Sequence, residues 1–281
     1  MKLLTLNTHS LAEENYPHKL MEFVAAVLTE RPEVIALQEV NQSFSEAAAL
    51  RELHGYIPCG EGIVIRRDNH VYKAAEMLRE RGLEYFWTWL PIKKGYDRFD
   101  EGIAVMSLSP ILETDAVTIS SADDYDDWKT RKILGIRTET LPDEWFYSVH
   151  FGRWDDPDEP FRCQWKRTAT HIHVGRLDCA WLMGDFNAPA EVRGESYDMI
   201  KSSYWQDTFE LAQTKSGAAT ASGRIDGWRD IPAAENGMRI DQIWCSKKAV
   251  ITSSEVLFDG GRYPVISDHY GVMINYERSI I

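Results

Sequence analysis

The chain repeatedly ends or opens an apolar run on a residue that can bind a metal or move a proton. Residues 2–6 lead into Asn7, 34–38 into Glu39, 145–149 into His150, and 180–184 into Asp185-Phe186-Asn187. Asp241 opens the run 242–244, and Ser267-Asp268-His269 precedes 270–274. One polar residue at a strand end is commonplace. Carboxylates, carboxamides and imidazoles at all these places point to one site on the rim of a buried sheet. Such a set supports phosphoester hydrolysis: oxygen donors hold a cation against the phosphoryl oxygens, a carboxylate prepares water, and an imidazole stabilises charge or assists the leaving oxygen. Hard oxygen ligands favour Mg²⁺, with Mn²⁺ as substitute, over zinc. Asp185 and Asn187, two apart in an extended segment, face the same side. Taken singly, each residue also has a plainer reading: a surface carboxylate for Glu39, a turn former for Asn7, an Asp-x-Asn turn at 185–187, a structural histidine for His269.

The elements that must position these residues mix strand and helix. Residues 2–7 read as a buried strand, 18–29 carry apolar positions at helical spacing, Pro32 blocks continuation, and 34–38 read as a second strand. This strand–helix–strand opening delivers both polar ends to one edge. Helices are expected at 44–53, 71–81, 161–177 and 196–200. Strands are expected at 62–66, 85–91, 103–107, 111–119, 132–138, 145–151, 180–183, 241–245, 249–257 and 270–275. Residues 214–238, rich in Gly, Ser and Ala, read as a long loop. The pattern by itself supports an α/β protein with mixed sheets.

The segments LTLNTHS, IALQEV, DEGIAVMS, SVHF, GDFN, RIDQIW and SDHYGV run in this order from residue 3 to residue 274. They resemble the signature segments of the endonuclease/exonuclease/phosphatase superfamily, which includes deoxyribonuclease I, exonuclease III, sphingomyelinases and inositol-polyphosphate 5-phosphatases. The resemblance implies a deoxyribonuclease I-like four-layer α/β sandwich: two mixed, mostly antiparallel sheets packed face to face with helices outside. It also assigns roles. Glu39 is a metal ligand, Asn7 a ligand or an orienter of Glu39, and Asp268 a ligand or its support. Asp185 is the water-orienting base, and Asn187 binds phosphate. His269 contacts the scissile phosphate, with Asp241 fixing its tautomer. His150 matches the second catalytic histidine of the deoxyribonuclease I-like branch, Glu101 the carboxylate paired with it, and Arg131 an arginine near the phosphate. His9 stands where some members carry an aspartate, which removes a carboxylate; its own role is open between metal, phosphate and neither.

Composition narrows the partners. With 281 residues, no linker-like tract and functional segments spread from end to end, residues 1–281 read as a single domain. The net charge of −13 lacks the basic footprint of a nonspecific duplex binder, so nucleic acid is a less favoured partner than a compact phosphoester. Cys59, Cys163, Cys179 and Cys245 form no C-x-x-C pair and read as free thiols of a reducing compartment. The N-terminal apolar run is too short for a signal peptide or a membrane span. A cytoplasmic protein without integral membrane association is expected, its oligomeric state left open.

Three segments carry aromatic residues among basic ones: 82–100, 152–167 and 220–239. Such interleaving suits stacking and phosphate contacts, although the set at 85–89 reads mainly as core. Trp154 and Trp228, in polar loops, are the expected exposed contacts. Acidic runs at 123–127 and 155–159 oppose a duplex backbone. The reading is a metal-dependent phosphoester hydrolase, a phosphodiesterase before a nonspecific DNA or RNA nuclease, with a non-catalytic phosphate-ligand binder on the same fold as the rival from another class.

Overall fold

The structure, a computed structural model, describes residues 1–50, 52–172, 179–221 and 237–278. Among these, strands β1 (Lys2–Asn7), β2 (Val34–Ser43), β3 (Phe86–Gly95), β4 (Phe99–Ser107), β5 (Ile111–Thr118), β6 (Lys132–Thr138), β7 (Leu141–His150), β8 (Cys179–Asp185), β9 (Gln206–Asp207), β10 (Thr214–Ser216), β11 (Asp241–Cys245), β12 (Val250–Leu257) and β13 (Gly271–Glu277) form two mixed sheets. The seven-stranded sheet has the order β10-β12-β13-β1-β2-β4-β3, and the six-stranded sheet β5-β6-β7-β8-β11-β9. Helices α1 (Tyr16–Glu30) and α2 (His70–Glu80) cover the first sheet, and α3 (Phe161–His171) and α4 (Ser196–Ser202) the second. This is the four-layer α/β sandwich.

Each sheet carries a central parallel pair joined through a helix: β1 beside β2 and β7 beside β8. Their other neighbours in the middle of the sheets, β13, β4, β6 and β11, run antiparallel to them. The carboxyl ends of β1, β2, β7 and β8 therefore lie at one edge together with the amino ends of β4, β11 and β13.

Strand alternation then selects what reaches the gap between the sheets. Leu3 packs into the inter-sheet core while Leu4 and Leu6 face α1 and α2, so Leu3, Thr5 and Asn7 form one row. On β7 the row is Phe146, Ser148 and His150; on β8 it is Trp181, Met183 and Asp185; on β11 it is Cys245, Ile243 and Asp241. Each row is apolar deep in the gap and turns polar at the same end.

The expected helix at 44–53 is absent. Ala49 N–H donates to Ile65 O and Arg67 N–H to Ala47 O, and Ala48 bridges Arg66. Pairing with residues 65–67 takes the backbone groups a helix would have used, so tertiary context overrides the helical propensity of the alanines. Residues 62–66 supply that single bridge and no longer strand. The helix expected to reach residue 177 is described to His171; Thr214–Ser216, expected in a loop, instead pairs with β12 as β10, and most of the rest of 214–238, Trp228 included, lies outside the described residues. Trp87 and Trp89 are buried as expected.

Candidate active site

Asp185 stands at the meeting point of the rows. Its Oδ1 accepts from Asn187 N–H at 2.7 Å, and its Oδ2 accepts from Asn7 Nδ2 at 3.2 Å. The same Oδ2 lies 3.6 Å from His150 Nε2 and 3.8 Å from His269 Nε2. Gly184 allows this approach: a Cβ there would sit 2.0 Å from Val149 O. Asn187 adopts φ +45°, a left-handed conformation costly for a side-chain-bearing residue. Its Nδ2 is held by Phe151 O at 2.9 Å.

Behind His269, Asp241 accepts from Nδ1 at 2.9 and 3.2 Å, leaving Nε2 toward the cleft. Burial opposes a charged ring, but Asp241 and Asp185 together hold His269 well above the usual histidine range. His150 goes the other way. Burial, with Arg131, Lys93 and His269 nearby, holds it well below that range and keeps it neutral. Burial pushes the Asp185 carboxyl up to about 7; Asp241 and Glu39 add to the rise, while His269 and the Asn187 amide oppose it. The two histidines thus have opposite charge preferences on either side of one carboxylate, as division of acid and base duties requires.

Glu39 reaches the site through a β-bulge. Leu37 pairs with Ala104 but Val40 with Gly102, so Gln38 and Glu39 together oppose one residue of β4. Glu39 takes φ +50°. Without the extra residue, Glu39 would continue the Ile35–Leu37 alternation toward α1 and α2; the bulge gives that place to Val40 and turns Glu39 into the cleft. Gln38 stays in the gap beneath it and donates to Ser148 Oγ across the sheets at 2.9 Å. Asn7 Nδ2 donates to Glu39 Oε1 at 2.9 Å while its Oδ1 accepts from His9 N–H, which makes Asn7 an orienter of both Glu39 and Asp185. Burial, then the charges of Glu101 and Asp268, push the Glu39 carboxyl above its usual range. A half-buried carboxylate crowded by two others suits a divalent cation, and all three offer hard oxygen.

His9 adjoins this corner. Its Nδ1 meets Glu13 Oε1 at 2.8 Å and lies 3.9 Å from Asp268 Oδ1, and its Nε2 meets Tyr96 OH at 2.9 Å. Both ring nitrogens therefore have protein partners. Burial opposes the charge, but Glu13, Glu39 and Asp268 raise His9 to about 9.

Two further expectations meet a different geometry. Glu101 pairs with Lys93, Nζ to Oε1 at 3.2 Å, instead of with His150. The reason is register: Lys93 stands directly opposite Glu101 on the neighbouring strand. Trp154 is half-buried against the core of the second sheet and is not in the cleft wall. Trp128, 62% exposed, and Tyr96, 50% exposed, line the cleft instead. The cue that selected Trp154, an aromatic residue in a polar loop, applies equally to Trp128. Arg131 is in the wall, as are Glu39, Asp185, Asn187, His150, His269 and Asp268, around a cleft of about 440 Å³.

The sequence model of the endonuclease/exonuclease/phosphatase family matches residues 4–269. The chain belongs to this family. Family members are hydrolases acting on phosphoester bonds. A family protein from Leptotrichia buccalis C-1013-b shares 26% identity and a TM-score of 0.84, over 99% of this chain and 100% of that one. The mannosyl-6-phosphatase Bt3783 of Bacteroides thetaiotaomicron VPI-5482 has a TM-score of 0.65 at 14% identity, over 99% and 100% of the two chains. D. rerio TDP2 in complex with a single-strand DNA product has a TM-score of 0.61 at 14% identity, over 99% of each chain. At such identities these last two establish a shared fold alone. A comparison with curated protein sequences gives no match. Among the described residues no helix is long and apolar enough to cross a membrane.

Proposed function

We propose that this family member is a divalent-metal-dependent phosphoester hydrolase in which water attacks phosphorus in line with the leaving oxygen. The observation that carries this reading is Asp185 Oδ2 between His150 and His269, at 3.6 and 3.8 Å, with the second carboxylate oxygen fixed by Asn187. A carboxylate that titrates near neutrality is matched to accepting a proton from water. His269, charged and fixed by Asp241, donates from Nε2 to a phosphoryl oxygen. Neutral His150 offers a hydrogen bond on the opposite side. Glu39, with Asp268 beside it and Asn7 orienting it, would hold Mg²⁺ or Mn²⁺, which supplies charge neutralisation of the phosphoryl group when bound.

The rival reading, a non-catalytic binder, predicts a broken constellation. Glu39, Asp185, Asn187, Asp241 and His269 are instead present, with Asn7 bonding both Glu39 and Asp185, Asn187 bonding Asp185, and Asp241 bonding His269, which favours catalysis. The test is hydrolysis of p-nitrophenyl phosphate and bis-p-nitrophenyl phosphate by purified protein with Mg²⁺ or Mn²⁺, beside an EDTA control and Asp185→Asn. Metal-dependent release of nitrophenol, lost in the variant, supports the reading. Equal rates for wild type and variant would overturn it.

A further inference from the structure

One end of the cleft is walled off by a strap. Residues 121–130 link β5 to β6 on the six-stranded sheet yet bond to the edge of the seven-stranded one: Lys94 N–H donates to Tyr125 O at 2.9 Å, and Tyr125 OH bonds Asp100. The strap is also tied to the loop after β7, by Lys129 Nζ with Asp156 Oδ1 at 3.0 Å and by Ser121 N–H with Glu159 Oε1 at 2.6 Å. It therefore spans both sheets at one end of the cleft, and it carries Asp123, Asp124, Asp126 and Asp127.

Behind the strap two cations are buried in the cleft wall. Lys93 is 9% exposed and Arg131 7%. One carbonyl clamps both: Trp128 O accepts from Lys93 Nζ at 3.1 Å and from Arg131 Nη1 at 2.8 Å. Lys93 comes from one sheet and Arg131 adjoins the other. Lys93 reaches the gap through a second β-bulge, because Pro91 pairs with Gly102 and Lys93 with Glu101, leaving Ile92 extra. Glu101 neutralises Lys93. Arg131 has no carboxylate at ion-pairing distance among the described residues, its Nη1 donates to the carbonyls of Trp128 and Thr130, and its Nε is buried without a partner. Glu101, Asp185 and Glu39 act on its charge from beyond bonding distance, and burial outweighs their pull. A buried guanidinium without a bonded counter-ion is costly for folding, and a ligand anion within bonding distance would offset that cost.

We infer that Lys93 and Arg131, clamped by the Trp128 carbonyl at the closed end of the cleft, form a terminal-phosphoryl subsite, so that the substrate is a phosphomonoester. The inference rests on the hydrolase reading above and departs from the diester expected from the sequence. A monoester dianion presents three non-bridging oxygens, and the site offers three directions of positive charge or donors: the cation corner at Glu39, His269, and Lys93 with Arg131. A diester has two such oxygens and a second ester arm, which a cleft closed at one end by the strap accommodates less readily. The reaction balances without a co-reactant: a water oxygen bonds to phosphorus, the P–O ester bond breaks, its electron pair leaves with the alcohol oxygen, and that oxygen ends with one of the water protons, giving an alcohol and inorganic phosphate.

The experiment compares p-nitrophenyl phosphate with bis-p-nitrophenyl phosphate on the full chain, for wild type and Lys93→Gln, with orthophosphate as inhibitor. Loss of one charge-assisted contact predicts a fall in kcat/KM about 10- to 100-fold greater for the monoester than for the diester, and a matching rise in the inhibition constant of orthophosphate. Faster turnover of the diester by wild type, or equal losses on both esters in the variant, would overturn the inference while leaving the hydrolase reading intact. No metal-dependent cleavage of either ester would overturn both. Should Lys93→Gln fail to fold, inhibition of wild type decides: orthophosphate binding about 10-fold or more tighter than dimethyl phosphate supports the subsite, and equal binding overturns it.

Discussion

Asp185→Asn should stabilise the metal-free protein while removing its activity, and the size of the gain can be worked out. The rise of the Asp185 carboxyl from 3.8 to about 7 is worth about 4 kcal/mol of lost stability once the group is ionised. The sign follows from linkage. The folded-state value lies above the unfolded one, so this contribution is complete below pH about 4 and is lost as the pH rises through about 7. An amide at this position stays neutral, and the His269–Asp241 pair, balanced in charge, remains. Against the gain, the new NH₂ would face the donors of Asn7 and Asn187 that now bond Asp185 Oδ2, a cost of about 1 kcal/mol each. The net is about 2 kcal/mol in favour of the variant at pH 8.5 and near zero at pH 5, or a rise of about 3 °C in Tm at the higher pH. Chemical and thermal denaturation in EDTA at both pH values measure it, EDTA keeping any cation from neutralising the carboxylates. A variant less stable than wild type at pH 8.5 would refute the claim that a net buried charge sits at this junction.

Three other perturbations have defined outcomes. Asp241→Asn leaves His269 in place but removes the charge that raises it. The alkaline limb of the kcat profile should move to lower pH and kcat should fall about 100-fold with KM nearly unchanged, which a pH–rate series reads directly. Glu39→Gln should raise the Mg²⁺ concentration for half-activation about 10- to 100-fold, measured by metal titration of the initial rate. Gly184→Ala forces a Cβ to 2.0 Å from the Val149 carbonyl oxygen. The expected loss is about 3 kcal/mol of stability, visible as a lower denaturation midpoint, together with loss of activity as Asp185 is displaced.

Some of the site was readable residue by residue. Asn7, His150 and Asp185 follow apolar runs whose alternation already fixes which side they face. Once Leu3, Phe146 and Met183 are buried between sheets, the polar residues two or four positions along must emerge at the mouth of the same gap. Asp241 behind His269 followed from the family resemblance of its segment. The missing helix at 44–53 shows the limit of local reasoning, because hydrogen bonds to residues 65–67 outweigh alanine's preference. Glu101 was matched to His150, but Lys93 stands opposite it on the next strand.

What the sequence by itself determined is most of the long strands, the side each turns to the core, and hence the company of polar residues at one rim. Alternation is a local property with a period of two, and a single chain displays it. What only the tertiary structure decided is aim. Two bulges, at Gln38–Glu39 and at Ile92, reverse the parity of Glu39 and Lys93 and bring them into the cleft. A bulge is defined by the count of residues on the partner strand, so neither strand's sequence reveals it alone. The strap at 121–130 is likewise an acidic loop in sequence. It becomes the end wall of the cleft only when its carbonyls meet Lys93 and Lys94 from the other sheet.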